Sequence, residues 1–423
     1  MESKKTVIIY RDQLIPYSET FIPAQVENFL SYQGFYVGSS SFPIAKSMLP
    51  QDRTIILGEL GSPGGFWKTA YKLTSFIHPL WLKCLQDLSP QLIHAHFGLD
   101  GFLALPLAKK LKIPLIVTFH GYYATTEIIL NQSQSFLTQT RVFVKNRGQF
   151  FRELYFRNRD RLFQEGNYFI AVSEFIRSQL IEKGCPPEKI QVNYIGVDVD
   201  KFTPNPPVKR EPIVLFVGRL IEKKGCEYLI QAIAQVQKTI PNIELVVIGD
   251  GILRSSLENL AENLLSNYRF LGVKPQETVQ EWMNKAFLLG APSVTTATGE
   301  SEGLPIVILE AQAMGLPVIS SIHAGIPEAI IHEETGFLTQ EKDWESLAKY
   351  ILTLFENVEL REKFSTLGRR RIETEFNLKL NAAKLEEIYD NISAIAILSR
   401  LRQYSILKKF CEIEYLTIRK KLK

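Results

Sequence analysis

The segment Glu300-Ser301-Glu302-Gly303-Leu304-Pro305-Ile306-Val307-Ile308-Leu309-Glu310 carries the strongest chemical signal in the sequence. Pro305 suits the first turn of a helix, where its missing N–H costs nothing. Gly303 before it lets backbone approach closely, and the free amides of a first helical turn suit an anion such as a diphosphate. Glu310 then falls within a helix whose neighbours, Ile306 to Leu309 and Ala311, are apolar on nearly every side. Such a helix is buried, and a buried carboxylate needs partners. A ribose diol donating two hydroxyls would satisfy Glu310. So would a buried basic residue with a purely structural role, and the residues alone leave both open.

A second signal is Phe216-Val217-Gly218-Arg219-Leu220-Ile221-Glu222-Lys223-Lys224-Gly225. A strand ending in Gly-Arg, with Lys224 five residues on, puts two cations at the carboxyl edge of a sheet, where they would neutralise a diphosphate as it leaves. The competing expectation is a solvated Lys-Lys-Gly turn, to which Lys223 yields more readily than Arg219. Gly249-Asp250-Gly251 and Leu271-Gly272-Val273 follow as a tight turn and a short strand near the same edge, either of which would shape a base pocket. Glycine turns after strands are also common structural devices.

In the first half, His94-Ala95-His96-Phe97 and Thr118-Phe119-His120-Gly121 each place histidine at a strand end. Alternation puts His94 and His96 on one face, one of them as a hydrogen-bonded structural residue. No carboxylate or cysteine is spaced to complete a metal site around them. His120, at a strand exit before Gly121, is the better candidate for touching a substrate. Tyr17-Ser18-Glu19-Thr20-Phe21 would cap a helix at the mouth of a cleft. Residues 141–161 mix arginines with Phe150, Phe151, Tyr155 and Phe156, and the chain ends in Arg419-Lys420-Lys421-Leu422-Lys423. These read as surfaces for anionic lipid or as solvated helix faces. Nucleic acid has no recognition module behind it.

The elements that must hold these residues alternate short apolar runs with longer helical patterns, as in α/β chains with parallel sheets. Strands are expected at Thr6–Tyr10, Gln91–His96, Leu115–Phe119, Tyr168–Val172 and Ile190–Tyr194, then at Ile213–Val217, Glu244–Ile248, Phe287–Leu289 and Pro317–Ser320. Helices are expected at Ile22–Tyr32 and Phe102–Leu111. A proline-rich linker, Thr203 to Arg210, separates two doubly wound halves that face across a cleft, with ligands at the carboxyl ends of the strands. The expected division is 1–205, 206–385 and a helical tail 386–423 that packs on the first domain or on a membrane.

A length of 423 residues favours two domains, and a net charge of +4 is too small to argue for nucleic acid. Four cysteines without CxxC or zinc spacing fit a reducing compartment. The apolar run near the N-terminus is too short for a signal core, and no run approaches the ~20 residues of a membrane span. The expectation is a cytoplasmic protein, peripheral at the inner face of the plasma membrane.

Taken in order from Tyr10 to Phe376, these motifs resemble the retaining GT-B glycosyltransferases of glycosyltransferase group 1. The matching residues are Ser18-Glu19-Thr20-Phe21-Ile22, His94-Ala95-His96-Phe97, Thr118-Phe119-His120-Gly121, Ala171-Val172-Ser173-Glu174 and Gly196-Val197-Asp198. They continue through Gly218-Arg219-Leu220, Lys223-Lys224-Gly225, Gly249-Asp250-Gly251, Glu302-Gly303-Leu304-Pro305 with Glu310, Ala324-Gly325-Ile326-Pro327-Glu328 and Gly336-Phe337-Leu338. The resemblance implies two Rossmann-like domains, with C-terminal helices crossing back to the first. It implies a UDP- or GDP-linked sugar as donor and a saccharide as acceptor. Arg219 and Lys224 match the diphosphate-binding pair, Glu310 the ribose-binding end of a paired-glutamate motif, and Glu302 the end near the donor sugar. Gly303, Leu304 and Pro305 would meet phosphate and sugar through backbone, Gly249, Gly251 and Gly272 would line the nucleotide, and His120 would reach the sugar from the first domain. The implied catalytic set is His120, Glu302, Arg219 and Lys224, with retention of configuration and no metal or other cofactor. Where many members carry a Gly-Gly loop, this chain has Asp12 to Thr20, which resembles the branch that builds exopolysaccharide, capsule or lipopolysaccharide and points to a lipid-linked acceptor. Other readings are another GT-B activity, such as nucleotide-sugar epimerisation, and a catalytically silent subunit that binds a sugar nucleotide. A nicotinamide dehydrogenase is disfavoured, since no GxGxxG follows the first strand.

Overall fold

The computed structural model describes residues 4–16, 19–60, 64–126, 147–205 and 210–421. Two parallel sheets dominate. The first contains β1 (Lys5–Tyr10), β2 (Tyr32–Gly38), β3 (Thr54–Ile56), β4 (Leu92–His96), β5 (Leu115–Phe119), β6 (Tyr168–Ala171) and β7 (Ile190–Val192), in spatial order β3-β2-β1-β4-β5-β6-β7. The second contains β8 (Glu211–Val217), β9 (Glu244–Ile248), β10 (Tyr268–Phe270), β11 (Ala286–Ala291), β12 (Val318–Ser321) and β13 (Phe337–Thr339), in order β10-β9-β8-β11-β12-β13. Both are doubly wound, and each has a switch point, between β1 and β4 and between β8 and β11, where the crossovers change direction. Strands buried on both faces are apolar runs, as β5 (Leu-Ile-Val-Thr-Phe) and β9 (Glu-Leu-Val-Val-Ile) are.

Nine strands expected from sequence appear within a residue or two of their places, and the differences have local causes. The helix expected over Ile22–Tyr32 spans only Phe21–Glu27, and Tyr32–Gly38 is a strand beside β1. Its Tyr, Phe, Tyr and Val side chains suit a pleated surface, and the Gly34 backbone packs under Val26 and Ile9. The helix expected over Phe102–Leu111 starts earlier, at Gly98, because Gly98 and Gly101 lie against Tyr155 and Val117, where no side chain fits. Residues 271–273 are not a strand: the ladder ends at Phe270, and Gly272 takes a left-handed φ of 69°. The edge strands β3 and β13, three residues each, were too short to stand out. The central residues of the linker, 206–209, lie outside the described residues.

After the second sheet the helix Val358–Glu375 leads to a 44-residue helix, Leu378–Lys421. Ala382, Leu385, Ile388, Tyr389 and Ile392 of that helix join the core formed by Val7, Ile9, Val26 and Tyr36 of the first lobe. The buried Glu386 carboxylate accepts N–H bonds from Leu30 (3.0 Å), Ser31 (2.7 Å) and Tyr32 (2.9 Å). The last helix thereby fixes the turn that starts β2. Truncating Glu386 leaves three amides without their acceptor. Glu386→Ala is expected to lower the stability of the first lobe by about 2–3 kcal/mol, read as a lower urea midpoint at unchanged slope.

Candidate functional site

The carboxyl ends of β8 and β11 flank the second switch point, and charged residues from both sides meet there. After β8 comes Gly218-Arg219-Leu220, then a short turn Glu222–Lys224 closed by Gly225 at a φ of 63°. A methyl group at Gly225 would collide with the Pro292 carbonyl oxygen, so glycine here lets the lysine turn press against the loop that follows β11. Val294 N–H donates to the Lys223 carbonyl at 2.9 Å. Two ion pairs then span the crevice: Lys223 Nζ to Glu300 Oε1 and Lys224 Nζ to Glu302 Oε1, each at 2.9 Å. The Lys223 side chain is only 8% exposed, which overturns the expectation of a solvated Lys-Lys-Gly turn. Arg219 is exposed, and its side chain has no hydrogen bond or ion pair among the described residues. Burial alone would raise the pKa of Glu302, but Lys224 and then Lys223 outweigh it and bring the carboxylate down to about 2.

Glu302 is held by its backbone as well. Its N–H donates to Nε2 of the buried His323 at 3.1 Å, and the opposite ring nitrogen, Nδ1, lies 2.7 Å from Glu341 Oε1. Accepting at Nε2 makes the ring neutral with its proton on Nδ1. Glu341 also accepts the Thr295 N–H (2.8 Å) and hydroxyl (2.9 Å). The next amides, Gly303 and Leu304, find no acceptor among the described residues. Pro305 is the residue before the helix Ile306–Ala313 and has extended backbone; its expected place in the first turn is corrected by one position.

Glu310 is partly buried in that helix and accepts one bond, from Gln276 Nε2 at 3.2 Å. Gln276 Oε1 in turn accepts from Lys201 Nζ at 2.5 Å. Burial raises the Glu310 pKa to about 7, against smaller lowering effects of Gln276 and Lys201. Its side-chain partner is therefore a neutral amide, not a buried cation. The glycines after β9 pack loops together. A side chain at Gly249 would strike the Gly218 carbonyl oxygen and one at Gly251 the Leu220 carbonyl oxygen, while Gly249 N–H donates to the Gly272 carbonyl at 2.9 Å. These residues set the position of Arg219.

The first switch point is filled from within. Arg11, following β1, pairs with the buried Asp100 beyond β4 and binds both oxygens of Glu19. Asp12 pairs with Lys72 and accepts from the Ser39 hydroxyl at 2.6 Å. Burial raises Asp100 to about 7 in spite of Arg11. Glu19 is thus an ion-pair partner, and Thr20 makes no side-chain cap; Tyr17 and Ser18 lie outside the described residues. His94 is the structural histidine, bonded to the Tyr389 hydroxyl at 2.5 Å and to Thr118 Oγ1 at 2.6 Å. His96 Nδ1 and His120 Nε2 are 3.0 Å apart, and burial lowers both pKa values. The inaccessible Nδ1 of His120 has no partner among the described residues. Among residues 147–161, Phe151 and Tyr155 are buried in the lobe and Phe150 and Phe156 are half-buried; residues 141–146 lie outside the described residues.

The two crevices meet at the loops around His120 and Glu302. A methyl group at Gly303 would collide with the His120 carbonyl oxygen, and Ser301 N–H donates to Thr125 Oγ1 at 3.2 Å. Glu328, after β12, accepts the first amides of the helix Glu174–Glu182 in the other lobe (2.8 and 3.0 Å) and the Tyr194 hydroxyl (3.0 Å). The structure therefore gathers Lys224, Glu302, Gly303 and the His120 backbone, while Arg219 sits on the loop held by Gly249 and Gly251. Glu310 stands further along the Ile306–Ala313 helix with its own partner. Sequence reading missed the Lys223–Glu300 pair, Gln276, and His323 with Glu341. Spacing gave no hint of these, because their partners lie 18 to 77 residues away.

Comparison with known proteins gives the family and the fold. Residues 199–371 match the family model for glycosyl transferases group 1, and residues 46–201 that for glycosyltransferase family 4. The chain is 32% identical over 304 residues to the amylovoran biosynthesis glycosyltransferase AmsK of Erwinia amylovora, covering 70% of this chain and 69% of that one. It is 30% identical to the putative colanic acid biosynthesis glycosyltransferase WcaL of Escherichia coli, covering 67% and 66%. Among solved structures, Alr3699/HepE of Anabaena in complex with UDP and glucose superimposes with a TM-score of 0.68 at 18% identity, over 92% of this chain and 100% of that one. This last likeness shows the fold, GT-B.

A carboxyl group raised from 4.5 to about 7 binds its proton more tightly in the folded state, so its contribution is intact below pH 4.5 and is lost as pH rises through 7. Glu310→Gln keeps the shape without the charge. The variant is expected to match the parent near pH 4 and to exceed it above pH 7 by up to roughly 3 kcal/mol, measured by urea unfolding across that range.

Proposed function

The chain belongs to the glycosyl transferases group 1 family, and on that premise we propose that it transfers a sugar from a nucleoside diphosphate sugar, UDP- or GDP-linked, to a saccharide acceptor. The observation that carries this reading is the second switch point. Arg219 is free, Lys224 faces a single carboxylate, and the amides of Gly303 and Leu304 are unused, a donor set that fits a diphosphate. Diphosphate oxygens would draw on Arg219 and Lys224 most strongly as the sugar C1–oxygen bond breaks and negative charge gathers on the leaving group. Glu310, whose neutral partner leaves lone pairs unused, suits the two ribose hydroxyls. Glu302 and His120 approach from opposite lobes, where the donor sugar would lie between them.

Retention of configuration follows from a front-face route, with the acceptor hydroxyl's proton taken by the departing phosphate, and the chemistry calls on no metal. The acceptor is a lipid-linked saccharide of a cell-surface polysaccharide; the relatives' roles in amylovoran and colanic acid biosynthesis support that class. No helix among the described residues is long and apolar enough to cross a membrane. Past Ile392 the last helix leaves the core and exposes Ile395, Ile397, Leu398 and Leu401, ahead of the basic end of the chain. We assign it a peripheral contact with anionic lipid.

Two experiments test these readings. Purified protein is expected to hydrolyse or transfer from UDP-glucose or GDP-mannose, with Arg219→Ala and Lys224→Ala each lowering kcat/KM by roughly 100-fold. Tight nucleotide binding without turnover would instead mark a silent sugar-nucleotide-binding subunit. Full-length protein is expected to pellet with vesicles containing phosphatidylglycerol, and a chain ending at residue 393 to remain in solution. Equal pelleting of the two would count against the tail.

A further inference from the structure

The loop from Pro292 to Pro305 carries Glu302 across 14 residues that form neither helix nor strand. A carboxylate on such a segment reaches a fixed place only if the backbone around it is tied down. The ties at its start lie within the second lobe: Val294 N–H to the Lys223 carbonyl, and Thr296 N–H to the Glu300 carbonyl at 3.1 Å. The Ser301 amide is held by Thr125, which belongs to the other lobe and is lost whenever the lobes part. At Glu302 the amide is held within its own lobe, by His323 Nε2.

We infer that His323 and Glu341 form a positioning pair that sets the Glu302 turn whether the lobes are open or closed. Glu341 follows β13, His323 follows β12, and the loop they hold follows β11, so three neighbouring strand ends are laced together. Glu341 grips the loop twice: directly at Thr295, through N–H and hydroxyl, and through the His323 ring at Glu302, seven residues later. The ring must be neutral for this. A second proton on Nε2 would face the Glu302 N–H donor to donor, and the Glu341 carboxylate selects the tautomer that avoids it. By occupying the Glu302 amide, His323 also leaves Gly303 and Leu304 as the turn's free donors. Neither His323 nor Glu341 touches the diphosphate-binding cations, so their effect passes through Glu302. The inference rests on the transferase reading for its kinetic consequence and on geometry alone for its structural one.

The test separates the two. His323→Leu removes acceptor and donor, while His323→Gln keeps an acceptor near Nε2. In hydrogen exchange, the Glu302 amide of His323→Leu is expected to exchange at least tenfold faster than in the parent, and that of His323→Gln close to the parent rate. With UDP-glucose or GDP-mannose, kcat of His323→Leu is expected to fall roughly 10–100-fold with KM changed less than about threefold, and His323→Gln to recover most of it. If His323→Leu does not fold, Glu341→Ala, which keeps the ring but removes its anchor, is expected to show the same exchange pattern. Parent-like exchange in the folded variants, or a raised KM at unchanged kcat, overturns the positioning role. Absence of turnover in the parent with either donor would overturn the transferase reading alone, since exchange still decides the role of His323.

Discussion

The site depends on two lysine–glutamate pairs that cross the crevice between β8 and β11. Burying four charges is costly unless each finds an opposite partner at short range, and here each does, at 2.9 Å. The pairs form because Gly225 allows the lysine turn to lie against Pro292, and because Val294 locks the two loops at Lys223. Lys223 is the more enclosed of the two lysines and Glu302 the more enclosed of the two glutamates. Under the proposed function, a bound diphosphate would take up the charge of Lys224, the partner of Glu302. That exchange would free Glu302 to meet the sugar.

The two lobes share a topology but use their crevices differently. In the first, Arg11 is saturated by Asp100 and both oxygens of Glu19, and Lys72 by Asp12, so no cation is left over among the groups that bridge it. In the second, the Arg219 side chain has no partner among the described residues, and no acceptor for the Gly303 and Leu304 amides lies among them. An anion gains more where donors are unsatisfied, and this asymmetry assigns the donor to the second lobe under the proposed function. In the first lobe Asp12 and Glu19 thus serve as ion-pair partners of Lys72 and Arg11.

Much of this was legible in the sequence because it was local. Apolar runs such as Leu115–Phe119 and Glu244–Ile248 marked strands directly, and Gly218-Arg219 marked a strand exit. The β2 strand was misread because its aromatics continue the helical spacing begun at Ile22, and the short edge strands carry too few residues to show a period. Lys223 was misread because its burial comes from Glu300, 77 positions later, which no local pattern encodes. The same holds for His323 and Glu341, whose importance lies in three strand ends that only folding brings together. Glu328 was visible as part of a Gly-Ile-Pro-Glu motif, yet its partner, the start of the helix Glu174–Glu182, was not.

Closure of the lobes and assembly of the site are linked by shared atoms. Glu328 caps a first-lobe helix from the loop that begins at His323, and Thr125 holds Ser301, the residue next to Glu302. A charge-assisted bond from a carboxylate to a helix N-terminus is strong enough to matter but exposed enough to break, as an opening cleft requires. The contacts that bring His120 to Gly303 therefore involve the same two loops that carry Glu302 and His323. Separating the lobes would remove His120 and Thr125 from the site, yet would leave the lysine–glutamate pairs and the His323 tie intact. The second lobe alone would thus keep a formed binding turn, and closing would add the first-lobe histidine to a site already in place.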